Sequence, residues 1–217
     1  MGSIARNAAN KITTGGVFTS GAITNDSVTG ITVLANATDG ITLISSQTAS
    51  NSASISFTTG ITSTYKAYKF VFVNMHPASD NVKFEFNMST DGGSNYNVTK
   101  TTTFFVAYHD EADTATGLSY QAGLDLAQST AFYNLTSGIG NSSDESASGS
   151  LLIFNPSSTT YVKHFIANTN NLRNDVIYFY NNYTAGYGNT TSAVNAVQFK
   201  MSSGNIDAGT IYMYGIK

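Results

Sequence analysis

Cysteine and tryptophan are absent from this chain of 217 residues, which also holds only two prolines and three histidines. Without cysteine there are no disulfides, no thiolate metal ligands and no thiol nucleophile. A fold that must stand without cross-links suits a protein made in a reducing cytoplasm. Charge is scarce too: Lys, Arg, Asp and Glu are 11% of the residues, against roughly 25% in an ordinary soluble domain. The ten Lys and Arg form no cluster and the net charge is −3. The basic footprint that neutralises phosphates is therefore missing, and nucleic acid is not an expected partner. The opening Met1-Gly2-Ser3-Ile4-Ala5-Arg6 lacks the apolar core of a secretory signal. No apolar run approaches the ~20 residues of a membrane span, so no membrane insertion is expected. The expectation is a soluble, non-secreted protein.

What the chain does hold is enough apolar material for a core. Hydrophobic residues are 41% and aromatics 12%, with 13 Tyr and 13 Phe. From Gly40 onward the pattern is that of strands. Ile41 to Ile44 opens one, Ala53 to Phe57 alternates with period two, and Tyr65 to Met75 is a long apolar and aromatic run. In Val82-Lys83-Phe84-Glu85-Phe86-Asn87-Met88 the apolar residues face inward, and Lys83, Glu85 and Asn87 are expected to face water. Asp91-Gly92-Gly93 reads as a hairpin turn, with Tyr96 to Tyr108 as the returning strand. A short helix is expected near Leu118 to Gln128. Ile139 to Gly149, rich in Gly, Ser and Asn, reads as an exposed tip. Further strands follow at Leu151 to Phe154, Thr160 to Ala167, Val176 to Tyr183, Ala193 to Met201 and Thr210 to Ile216. Eight to ten strands joined by polar turns predict an all-β fold, an antiparallel β-sandwich of jelly-roll-like form over residues 41–217.

Residues 1–40 follow another rule. Ser3 to Ile12 reads as a short helix with Ser3 as N-cap. Beyond it Ile12, Val17, Ile23, Val28 and Val33 stand five or six residues apart with glycines between them. That spacing fits neither helix nor strand. It suits an extended arm whose apolar residues, Ile4 included, anchor it to a partner. The alternative is a flexible leader.

Candidate chemistry is thin. Asp110, Glu111 and Asp113 beside His109 are ligands of the kind Ca²⁺ takes, but they lack EF-hand spacing, and a solvated loop is the simpler reading. No cofactor is expected. His76 before Pro77 suits a turn, and His164 a half-exposed sheet position. No Gly-x-Ser-x-Gly elbow occurs and no carboxylate pair stands out, which argues against hydrolysis. The best binding candidate is aromatic: Tyr178, Tyr180, Tyr183 and Tyr187 lie among amides, a setting for sugar recognition or for a subunit interface. As plain strand residues, Tyr178 and Tyr180 would point one way and Phe179 the other.

Four stretches carry a resemblance. These are Leu43-Ile44-Ser45-Ser46-Gln47-Thr48-Ala49-Ser50, Tyr68 to His76, Ser89-Thr90-Asp91-Gly92-Gly93-Ser94-Asn95-Tyr96, and Gly209-Thr210-Ile211-Tyr212-Met213-Tyr214-Gly215-Ile216. Together they resemble a family of virion surface proteins of marine tailed bacteriophages, including cyanophages. Ser3-Ile4-Ala5-Arg6 and the arm after it are similar to virion attachment segments of such proteins. The resemblance implies a non-enzymatic particle component made in the bacterial host cytoplasm: a capsid decoration, head fibre or tail-fibre domain. Its partners would be other virion proteins and further copies of itself, as a closed homo-oligomer such as a trimer. A tail-fibre module binding a host-surface glycan is the alternative, and a polysaccharide depolymerase a distant third.

Overall fold

The computed structural model describes residues 40–173 and 178–217. The expected anchors Ile4, Ile12, Val17, Ile23, Val28 and Val33, and the helix expected from Ser3, lie outside the described residues. Among those described the secondary structure is all strand: β1 (Ile41–Thr48), β2 (Ile55–Phe57), β3 (Ala67–Pro77), β4 (Phe84–Ser89), β5 (Lys100–Asp110), β6 (Thr116–Tyr120), β7 (Tyr133–Asn134), β8 (Ala147–Phe154), β9 (Lys163–Arg173), β10 (Tyr178–Gly188), β11 (Ala196–Met201) and β12 (Ile206–Ile216). They form an eight-stranded sheet in the order β1-β12-β3-β8-β9-β10-β5-β6 and a four-stranded sheet in the order β2-β11-β4-β7.

All the pairings are antiparallel, and their nesting defines the topology. β1 pairs with β12, β2 with β11, β3 with β8 and β4 with β7. Such a nested ribbon, wrapped so that β12 also meets β3 and β11 also meets β4, is the double Greek key of a jelly roll. The other four strands are two insertions. β5 and β6 lie between β4 and β7 in the chain, and β9 and β10 between β8 and β11. Both insertions join the larger sheet beyond β8, where β10 is hydrogen-bonded to β5. That sheet therefore overhangs its partner.

The core follows from this geometry. Between the two sheets lies an aromatic cluster centred on Phe199 of β11, with Phe57, Phe84 and Phe86 from its own sheet and Phe70 and Phe72 from β3 opposite. Tyr68 is fully buried, and its hydroxyl donates to the Thr62 carbonyl at 2.9 Å while accepting from the Thr62 amide at 2.8 Å. Under the overhang none of the described strands forms a second sheet, and buried polar side chains line the inner face. Asn171, Asn182 and Thr169 are buried there. The Ser137 amide donates to Asn182 Oδ1 (3.0 Å), and Asn171 Nδ2 to the Gly138 carbonyl (2.7 Å). Loop backbone, which carries a donor and an acceptor at nearly every residue, needs such partners once it is buried.

Several expectations are corrected. Leu118 and its neighbours form the edge strand β6, not a helix, because Leu118 and Tyr120 alternate with Gly117 and Ser119 across that strand. The Asp91-Gly92-Gly93 turn forms, with Gly92 and Gly93 at φ 75° and 93°. Asp91 organises it: Oδ1 accepts from Ser89 Oγ at 2.6 Å and from the Asn95 amide at 2.9 Å. These bonds hold its carboxyl down to about 2. The strand after the turn is not a hairpin partner, since β5 crosses to the other sheet and pairs with β10 and β6. The exposed tip shrinks to Asn141–Asp144, because Ile139 is fully buried opposite Val82 and Ala147 begins β8. Asn87 does not face water. It is fully buried, donating to the Tyr96 and Thr130 carbonyls at 2.7 and 2.9 Å.

Asn87 Oδ1 in turn accepts from Lys100 Nζ at 2.5 Å, and Nζ also donates to the Val98 carbonyl at 2.7 Å. Lys100 is fully buried, and desolvation pushes its pKa down to about 7. Between that value and the unfolded one, the unfolded chain holds a proton that the folded chain has shed. Raising the pH from about 7 to about 10 therefore favours folding, by at most about 1.4 kcal/mol for each pH unit crossed. Lys163, buried against the Ser158 and Tyr161 carbonyls, is shifted down by desolvation as well. Burial raises the Tyr133 hydroxyl, which opposes the trend only above pH 10. Chemical denaturation across this range is expected to show the rise, and Lys100→Met to flatten most of it.

Candidate functional site

The four candidate tyrosines share β10, but period-two alternation divides them between its faces. Tyr178 and Tyr180 point under the overhang, and Tyr183 and Tyr187 point to the outer face of the large sheet. They do not form one site.

On the inner side Tyr180 stands opposite Tyr108 of β5. Tyr108 is 5.6 Å from Tyr178 and 6.0 Å from Tyr180 between ring centroids, and Tyr178 is 5.8 Å from Tyr180. The Tyr108 ring lies across β6 because Gly117 faces it there. A Cβ at that position would sit 2.7–2.8 Å from the Tyr108 hydroxyl and ring. The three rings wall a cavity of about 640 Å³ whose lining also includes Lys83, Arg173 and Gln121. Its described lining contains two cations and no carboxylate, in a chain whose net charge is negative.

On the outer side Tyr183 stacks on Phe105, with centroids 5.0 Å apart and planes 9° from parallel. Tyr187 accepts from Gln128 Nε2 at 3.2 Å and lies 6.2 Å from His164. The rings belong to a larger apolar surface. Register aligns Leu43, Tyr214, Lys69, Leu152, Ile166 and Ala185 in one row across six strands. Phe154, Phe179 and Leu118 lie on the same face, and Ile41, Leu43 and Ile166 are each more than 50% exposed. A groove of about 530 Å³ runs along it, and Lys69 is the one charged residue in its described lining. Large exposed apolar faces are uncommon on monomeric soluble proteins.

The acidic cluster has a structural task. In the β5–β6 turn, Asp110 Oδ1 accepts from the Thr114 and Ala115 amides at 2.8 and 2.9 Å, and Oδ2 accepts from Thr114 Oγ1. These bonds, the Thr114 hydroxyl first, lower its pKa. His109 Nε2 sits 3.3 Å from Asp113 Oδ1. Both Asp110 oxygens are committed to the turn, so Asp110, Glu111 and Asp113 do not converge. Among the described residues no group of three His, Asp or Glu is placed to hold a metal ion. His76 is a strut, with Nδ1 3.3 Å from Asp207 Oδ2 and Nε2 3.1 Å from the Ser142 carbonyl.

The outer face was signalled in the sequence by runs that alternation does not explain. Leu151-Leu152-Ile153-Phe154 and Phe70-Val71-Phe72-Val73 are apolar at every position. Such runs mark strands covered on both faces. The cavity had a weaker signal, since Lys83 and Arg173 lie far from the tyrosines in the chain.

Together these features define, among the described residues, a jelly-roll β-sandwich with exposed apolar side chains on one sheet face and a tyrosine-walled cavity. No known protein family, curated protein or solved structure matches the chain. Among the described residues no helix is long and apolar enough to cross a membrane.

Proposed function

We propose that the chain is a structural protein of a bacteriophage virion, displayed on the particle as a capsid decoration, head fibre or tail-fibre component. It is anchored by residues 1–40 and assembled as a homotrimer. The observation that carries this reading is the outer face of the large sheet, where apolar side chains of several strands stand exposed and Lys69 is the one charged residue in the described lining of the groove. A face of that kind is built to be covered, and a cyclic oligomer buries the same face on every copy. The resemblance of residues 40–217 and of the opening segment to virion surface proteins supports it further.

The test is attachment. Particles assembled without the protein are expected to take up the full chain, seen by labelled electron microscopy, and to reject a chain lacking residues 1–40. Equal uptake of both would sink the anchoring role.

A second reading is recognition of a host-surface glycan, favoured by the tyrosine-walled cavity. Glycoside hydrolysis requires two carboxylates flanking the bond. The described lining of the cavity has none, so a polysaccharide depolymerase draws no support from it.

A further inference from the structure

We infer that Lys100 and Asn87 are the site of a self-made isopeptide cross-link, in which Lys100 Nζ displaces the side-chain nitrogen of Asn87 as ammonia. The inference is independent of the role proposed above.

The starting point is a lysine with no charged partner. Lys100 is fully buried, its two partners are the neutral oxygens of Asn87 and Val98, and among the described residues no carboxylate pairs with it. A buried cation without a counter-ion is costly. An amide at the same place carries no charge at all. Desolvation already pulls the Lys100 pKa down to about 7, so near neutral pH much of the population is the free, nucleophilic amine.

Geometry supplies the rest. Nζ lies 2.5 Å from Asn87 Oδ1, and a carbonyl bond is about 1.2 Å long, so Nζ stands no more than about 3.7 Å from Cγ. That approaches the ~3–3.5 Å of a near-attack pair, and confinement of this kind reaches effective concentrations of about 10⁵–10⁸ M. The Met88 amide donates to the same Oδ1 at 2.9 Å, where negative charge collects once the carbon is attacked. Asn87 Nδ2 is held by the Tyr96 and Thr130 carbonyls at 2.7 and 2.9 Å, which fixes the amide plane beside the amine. Asn87 is fully buried as well, so water is a poor competitor for its carbonyl.

The step balances without any co-reactant. Nζ bonds to Cγ, one of its two hydrogens passes to Nδ2 on the same carbon, and the Cγ–Nδ2 bond breaks. Ammonia leaves, and Nζ keeps its other hydrogen as a secondary amide. The new bond ties β4 of the four-stranded sheet to β5 of the eight-stranded one and closes a loop around the turn at Gly92 and Gly93. Once closed, Nζ no longer titrates, so the pH dependence described for Lys100 belongs to the chain before closure.

The experiment is mass spectrometry of the full chain, folded and incubated at pH 8, before and after cyanogen bromide cleavage. The intact chain is expected to be lighter than its sequence by one ammonia. Cleavage at Met88, which lies between the two residues, is expected to leave the flanking fragments joined. Wild type held in urea, Asn87→Ala and Lys100→Arg are each expected to keep the full mass and to fall apart at Met88, whereas Lys163→Met, which alters another buried lysine, retains the link. The wild-type fragments decide the matter even where a variant does not fold. Full mass in the folded wild type would overturn the inference. Loss of ammonia with separable fragments would overturn it too, because an asparagine elsewhere has then closed on its own backbone. A link that survives Lys100→Arg would assign the chemistry to another lysine and overturn this site.

Discussion

Phe199→Ala is expected to cost about 4 kcal/mol of stability, measured by urea unfolding, because it empties the centre of the core. Phe199 is fully buried on β11, the strand between β2 and β4. Its ring centroid lies 5.2 Å from both Phe70 and Phe72, across the sandwich, and 5.8 Å from Phe84 beside it. Removing it strands aromatic rings of both sheets around one void that the rigid strands cannot close. A typical domain is stable by only about 5–15 kcal/mol, so the variant would sit near the edge of folding. Phe179→Ala is the control. Phe179 is 46% exposed on the outer face, and a surface change of this kind shifts monomer stability by about 0.5 kcal/mol or less. Equal losses for the two variants would mean that the sheets do not pack through Phe199.

If the outer face is the proposed assembly surface, Ile166→Glu is expected to leave the chain monomeric where the wild type assembles, with the fold intact, read by light scattering and by unfolding at matched concentration. Ile166 lies near the middle of the outer face, opposite Leu152 on β8 and Ala185 on β10. In a single copy it is 51% exposed, so a glutamate there can remain in water. In an assembly that covers this face, the carboxylate has only Lys69 as a cation among the described groove lining. An interfacial charge left without a good partner costs about 2–5 kcal/mol, a large share of most association energies. A wild-type chain already monomeric at high concentration would refute assembly through this face.

Much of the sandwich was legible because strand alternation is a local property. Phe84, Phe86 and Met88 point inward as their spacing demands. The aromatic runs of β3 and β12 fall close to where the sequence places them. What failed was long-range. Asn87 reads as a water-facing residue from its neighbours, yet Lys100, thirteen positions on, arrives to bury it. The turn at Gly92 and Gly93 was correct as a turn and misleading as a hairpin, since local φ values do not name the strand that pairs next. Tyr178 and Tyr183 looked like members of one site because they are near in the chain, and five positions along a strand carry them to opposite faces. The cavity was the least visible feature. Its cations come from residues 83 and 173, and only the insertion of two strand pairs into one sheet brings them near the tyrosines.

The nested pairing has a consequence for synthesis. Of the described strands β1 is made first but hydrogen-bonds to β12, the last, and β5 must wait for β10. The half-made chain therefore carries Phe57, Phe70, Phe72, Phe84 and Phe86 with no Phe199 to close over them. Unmet strand edges and bare aromatic rings are what nascent chains aggregate through. A cell producing this protein in quantity has to shelter each copy until translation reaches the second half, and the yield of soluble product should follow the supply of chaperones.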